Sequence, residues 1–120
     1  MEENIYDVIR NQEVIFLKEE LDRIKTQIKN YKYKDSEVNF KGMIKLWELR
    51  KNIVEEIGVE IYDQEIIFLK EELGRIKSQI KDYKYKDSVE NFKGMIELWE
   101  LRKNIVEEIN KMTPPSMYVS

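Results

Sequence analysis

The chain has 120 residues, 42% of them hydrophobic and 38% charged, with a formal net charge of −3 at pH 7. That balance suits amphipathic helices and argues against the broad basic surface a general DNA coat requires. With neither Cys nor His, the chain has no disulfides, no thiolate or imidazole metal site, and no histidine-based acid–base or nucleophilic catalysis.

No apolar run reaches the roughly 18 residues that span a bilayer. The opening residues, with Glu2 and Glu3, lack a signal-peptide pattern. A cytoplasmic protein without a membrane partner is expected. The chain has no Ala and is rich in Ile, Lys, Glu, Asn and Tyr, a composition expected of a low-GC genome, a phage or another mobile element. It also differs from designed helices, which are filled with Ala.

One repeat organises the sequence. Residues 12–57 align with 64–109 without a gap, at a period of 52; of these 46 positions seven differ (14, 22, 26, 30, 37, 38 and 45), leaving 39 identical. This is a tandem duplication. It divides the chain into a first helical-hairpin repeat with an N-terminal extension (1–57), a second repeat (58–110) and a tail (111–120).

In chain order, Ile5, Val8, Ile9 and Phe16 form an apolar stripe rotated away from the main seam. It is expected to cover the other repeat or a second subunit. The first helix, of about 30 residues, carries that seam: Val14, Leu17, Leu21, Ile24, Ile28 and Tyr31 recur at spacings of three and four. Three of the changed positions, Asp22, Thr26 and Asn30 (Gly74, Ser78 and Asp82 in the second copy), lie one helical turn apart on the opposite side. Substitution has gathered where water is expected.

Tyr31, Lys32, Tyr33, Lys34, Asp35 and Ser36 follow, repeated as 83–88. Asp87 to Glu90 reads as a capping box that opens the fourth helix, while Asp35 or Ser36 caps the second helix alone. A rival reading makes a β-hairpin of the alternating 31–34 and 38–41 around Asp35 and Ser36.

The second helix has a broader apolar face of Phe40, Met43, Ile44, Leu46, Trp47, Ile53, Val54 and Ile57. A face that wide touches more than one neighbour. Gly58 ends this helix as a C-cap, and the short linker to Asp63 favours antiparallel neighbours. Pro114 and Pro115 stop the last helix and leave an extended tail. The expected fold is all-α: tandem duplicated helical hairpins forming a pseudo-two-fold four-helix bundle.

The adjacent carboxylates Glu19, Glu20, Glu55 and Glu56 fall toward the polar side, and no phosphate-binding glycine loop appears. Catalysis and cofactors are not expected. Three features carry the binding readings. Arg50, repeated as Arg102, falls by helical phase amid the apolar face between Trp47 and Ile53. Such a guanidinium demands an acceptor; an internal Glu, or escape of the head past the edge of the core, is the favoured reading, and a bound phosphate or carboxylate the sharper alternative. The Tyr-Lys-Tyr-Lys run interleaves rings and cations as nucleotide-stacking sites do. Its simpler role is to finish the seam and offset the helix dipole. Gly42 and Gly94, set within helices, suggest close approach by another backbone.

The expected function is therefore non-catalytic binding. A protein-interaction module (an adaptor, inhibitor or assembly factor) with a protein partner comes first, supported by surplus apolar residues such as Ile15, Phe16 and Leu49. A binder of a nucleotide or other anionic ligand comes second, with two equivalent sites built from Tyr33, Lys34, Trp47, Arg50 and Lys51 and from Tyr85, Lys86, Trp99, Arg102 and Lys103. A self-assembling homo-oligomeric bundle comes third.

Overall fold

Helical periodicity in the sequence becomes four helices in the computed structural model, which describes residues 5–31, 37–82 and 89–113, with the backbone alone for 37–40 and 89–93. Helix α1 spans Ile5–Asn30 and α2 spans Glu37–Ile57. After a 3-10 turn at Val59–Ile61 come α3, Tyr62–Asp82, and α4, Val89–Met112. No strand occurs among the described residues. Pairing of α1 with α2 and of α3 with α4 makes two hairpins, and α2 lies against α4 to join them into one helical bundle. The β-hairpin reading fails because residues 38–41, its second strand, lie in the first turns of α2. The tail from Pro114, the capping box at Asp87, and Tyr33, Lys34, Tyr85 and Lys86 lie outside the described residues.

The seam of α1 is where the spacing placed it. Leu17, Leu21, Ile24 and Ile28 are buried, with Val14 and Tyr31 packed against them. Asp22, Thr26 and Asn30 are exposed, as are Gly74, Ser78 and Asp82 of the second copy. Met43, Trp47, Ile53, Val54 and Ile57 of α2 complete one interior with Phe68, Leu69 and Ile76 of α3 and Met95, Leu98, Leu101 and Ile105 of α4. That interior is shared by both halves.

The body is flat and drawn out, 68 × 41 × 17 Å along its principal axes. Its radius of gyration of 17.5 Å exceeds the roughly 13–14 Å of a compact domain of this length. A thin body leaves more helix surface in water than a closed bundle would.

Two helix ends are sealed by distant arginines. Arg10 donates to the Glu56 and Ile57 carbonyls at 3.3 and 3.2 Å, closing the end of α2. Arg75 donates to the Ile28 carbonyl at 3.4 Å and to that of Tyr31, closing α1. A cation at a helix C-terminus satisfies orphan carbonyls and meets the negative end of the dipole.

Gly58 ends α2 as expected: its N–H donates to the Val54 carbonyl at 2.9 Å, and its φ is +99°. With ψ at −162°, this backbone is essentially restricted to glycine. Gly42 differs from expectation, since an added Cβ there would meet no heavy atom within 4 Å, and the same holds at Gly74. No backbone approaches closely at either position. Gly58→Ala should therefore cost about 1–3 kcal/mol of stability. Gly42→Ala and Gly74→Ala should each add up to about 1 kcal/mol by removing the helix penalty of glycine. Urea unfolding of the three variants checks both signs.

Candidate functional site

The guanidinium of Arg50 is fully buried, and its position follows from the periodicity of α2. Arg50 lies three residues after Trp47 and four before Val54, so all three share one stripe facing α3 and α4. The acceptors come from the other half of the chain. Nη1 donates to Glu65 Oε1 of α3 at 2.8 Å, and Nη2 to Glu108 Oε2 of α4. The second oxygen of Glu65 accepts from Lys25 Nζ of α1 at 2.6 Å. Two cations and two carboxylates thus form a neutral network drawn from all four helices. Burial of either charge alone would be very costly; mutual pairing offsets that cost and fixes which faces meet.

Aromatic rings wall this network. The ring of Phe68 lies 5.8 Å from that of Trp47, tilted by 35°. Arg50 Cζ sits 5.3 Å from the Trp47 ring centroid and 5.9 Å from that of Phe68. Lys25 and Lys29 approach the same Phe68 ring at 5.0 and 5.9 Å. Cations over ring faces in a water-poor setting gain quadrupole attraction as well as pairing. Nearby on α3, buried Glu72 accepts from Arg75 at 2.6 Å.

Trp47 and Arg50 are thus brought together, with carboxylates filling two of the guanidinium's nitrogens; Nε alone has no hydrogen-bond partner. Lys51 is exposed on a neighbouring face. In the second copy, Trp99 stands 43% exposed, where Trp47 is only 5% exposed. Arg102 is half-buried with its Cζ 5.0 Å from the Trp99 ring, and Lys103 is exposed. Identical residues here occupy unlike surroundings.

Sequence reasoning anticipated a Glu partner for Arg50 and missed which ones. Glu65 follows Ile61 by four residues and precedes Phe68 by three, a phase that marks it as buried once Phe68 is known to be core. The same phase in the first copy holds Glu13, which is exposed. No local signal separates the two. Among the described residues no group of three or more acidic side chains is arranged to hold a metal ion, and no helix is long and apolar enough to cross a membrane. Comparison of the chain with protein-family models, curated proteins and solved structures finds no match.

Proposed function

We propose that this chain is a non-catalytic protein-interaction module, acting as an adaptor, inhibitor or assembly factor. One observation carries the reading: large apolar side chains stand in water on a charged, soluble-type surface. Ile5, Ile9, Ile15 and Phe16 of α1, Leu49 of α2, Ile67 of α3 and Ile96 of α4 are all exposed. Scattered apolar residues are ordinary on any surface, but Ile5, Ile9 and Phe16 fall on one stripe of α1, with Ile15 on the adjoining side, an arrangement of the kind that marks a docking face. Burying them on a partner returns roughly 25 cal/mol per Å² of apolar surface. The buried polar network, neutral and internally paired, supports an architectural role for Arg50 rather than a reactive one. The low-GC composition is the support for a phage or mobile-element origin.

The test uses the tagged full chain as bait in extract of its host. A protein recovered in stoichiometric amount, and lost with Ile15→Asp and Ile67→Asp, is the expected result. Both positions are exposed, so the substitutions should leave the melting temperature within about 2 °C, as surface changes usually do. Recovery of nothing above a beads-only control contradicts the reading.

A further inference from the structure

Where α2 ends, its two counterparts in the repeat stay helical. At the spacing of 52, Gly58 aligns with Tyr6 in one direction and with Asn110 in the other. Tyr6 lies inside α1, which begins at Ile5, and Asn110 inside α4, which runs on to Met112. Ile57 and Ile61, at the two ends of the linker, match Ile5 and Ile9, and those two are helical. No proline stands between Ile57 and Tyr62, so nothing there forbids an α-helix. What sets the linker apart is a glycine at φ +99°, far from any helical backbone.

The turn is lightly held. The Ile61 N–H reaches the Gly58 carbonyl only at 3.5 Å, and Val59 is 77% exposed. Lys18 with Glu60 is an exposed pair at 3.5 Å, worth little in water. Arg10 covers the Glu56 and Ile57 carbonyls, which a continuous helix would satisfy from the N–H groups of Glu60 and Ile61. Beyond the turn, Arg50 pairs with Glu65 and Trp47 meets Phe68. A step of three outward on α2 thus matches a step of three onward on α3. The two helices run antiparallel, in a register centred between Ile57 and Gly58.

We propose that this linker is a hinge and that its partner is a second copy of this chain. In the dimer, residues 37–82 form one helix of roughly 69 Å at 1.5 Å per residue. The α1–α2 hairpin of each copy then packs on the α3–α4 hairpin of the other. Because the antiparallel register is centred on the hinge, two such helices lie side by side about a two-fold axis, and the exchange closes with two copies. Contacts between the halves are kept, now between chains: Arg50 with Glu65 and Glu108, Lys25 with Glu65, Arg75 at the α1 carbonyls. Monomer and dimer differ at the hinge and in the freedom lost on joining. The proposal stands apart from the interaction-module reading, since the exposed Ile15 and Ile67 take no part in it.

Sedimentation velocity of the full chain, refolded at high micromolar concentration, should resolve species of 14.6 kDa and of twice that mass. Gly58→Ala should strengthen the dimer at least about thirty-fold, because each of two hinges escapes a turn that disfavours a side chain roughly fivefold or more. Inserting Gly-Ser-Gly-Ser after Gly58 should abolish the dimer, since a slack linker interrupts the long helix and lets the chain close on itself. The exchange itself is read with spin labels on Lys45→Cys and Lys70→Cys, exposed sites 25 positions apart in a chain without cysteine. The doubly labelled chain is refolded with a large excess of unlabelled chain, so that only distances within one copy are seen. The isolated dimer should give roughly 37 Å, as along one helix, and the monomer about 10–20 Å, as between packed helices. A wild type that stays monomeric at every concentration, a Gly58→Ala dimer no tighter than that of the wild type, or a dimer that keeps the short distance within one copy would each overturn the proposal.

Discussion

Arg50→Met should cost roughly 3–5 kcal/mol of folding stability, because it strands Glu65 and Glu108 in the interior with one cation fewer. The same change at Arg102, eleven of whose twelve nearest sequence neighbours match those of Arg50, should cost under about 1 kcal/mol, since that side chain is half-buried and in no ion pair among the described residues. Urea unfolding of both variants, at a dilution where one copy is present alone, reads the difference directly. Equal losses would mean that the two arginines share one environment. Replacing Arg50 and Glu65 together by Met and Leu should cost about 2–3 kcal/mol less than the two single changes summed, because part of each single loss is the stranding of the other member. Lys25 and Glu108 still lose a partner, so the double change is not neutral.

Phe68→Ala should destabilise by about 3–5 kcal/mol, the range for a large aromatic removed from a packed interior. It deletes the ring against which Trp47, Arg50, Lys25 and Lys29 all rest. Phe16→Ala, at the twin position, should stay within about 0.5–1 kcal/mol, since more than half of that side chain is already in water. The contrast has a local consequence too. Loss of Phe68 should raise solvent quenching of Trp47 fluorescence, measured in a Trp99→Phe background, whereas loss of Phe16 should leave it unchanged. Thermal unfolding of the two variants gives the stability half of the test.

These paired variants also mark where sequence stopped being informative. The α1 seam was legible because an apolar residue every three or four positions leaves a helix one dry face, and Leu17, Leu21, Ile24 and Ile28 are buried accordingly. Gly58 was legible as a helix stop because few other residues adopt its backbone. Gly42 was misread: a helical glycine can mark close approach, but here the space beside it is empty. The distant caps, Arg10 on α2 and Arg75 on α1, were out of reach. Their carbonyl partners lie 46 or 47 and 44 or 47 residues away in the chain, respectively. The identity of the buried carboxylates was hidden for a stronger reason. Glu13 and Glu65 share the sequence context that any periodicity argument uses, and only the packing of α3 over α2 separates them. Local pattern fixes which faces of a helix can be covered; tertiary arrangement decides which of two equal faces is.

A buried contact between Arg50 of the first half and Glu65 of the second joins the two halves. A double-mutant cycle with Arg50→Met and Glu65→Leu tests it, set beside the twin cycle with Arg102→Met and Glu13→Leu. Both are read by urea unfolding of the dilute single chain. A coupling of about 2–3 kcal/mol at the first pair, and under about 0.5 kcal/mol at the second, is the expected outcome. Near-zero coupling at Arg50 and Glu65 would mean that the halves are not joined there, whatever the twin pair shows.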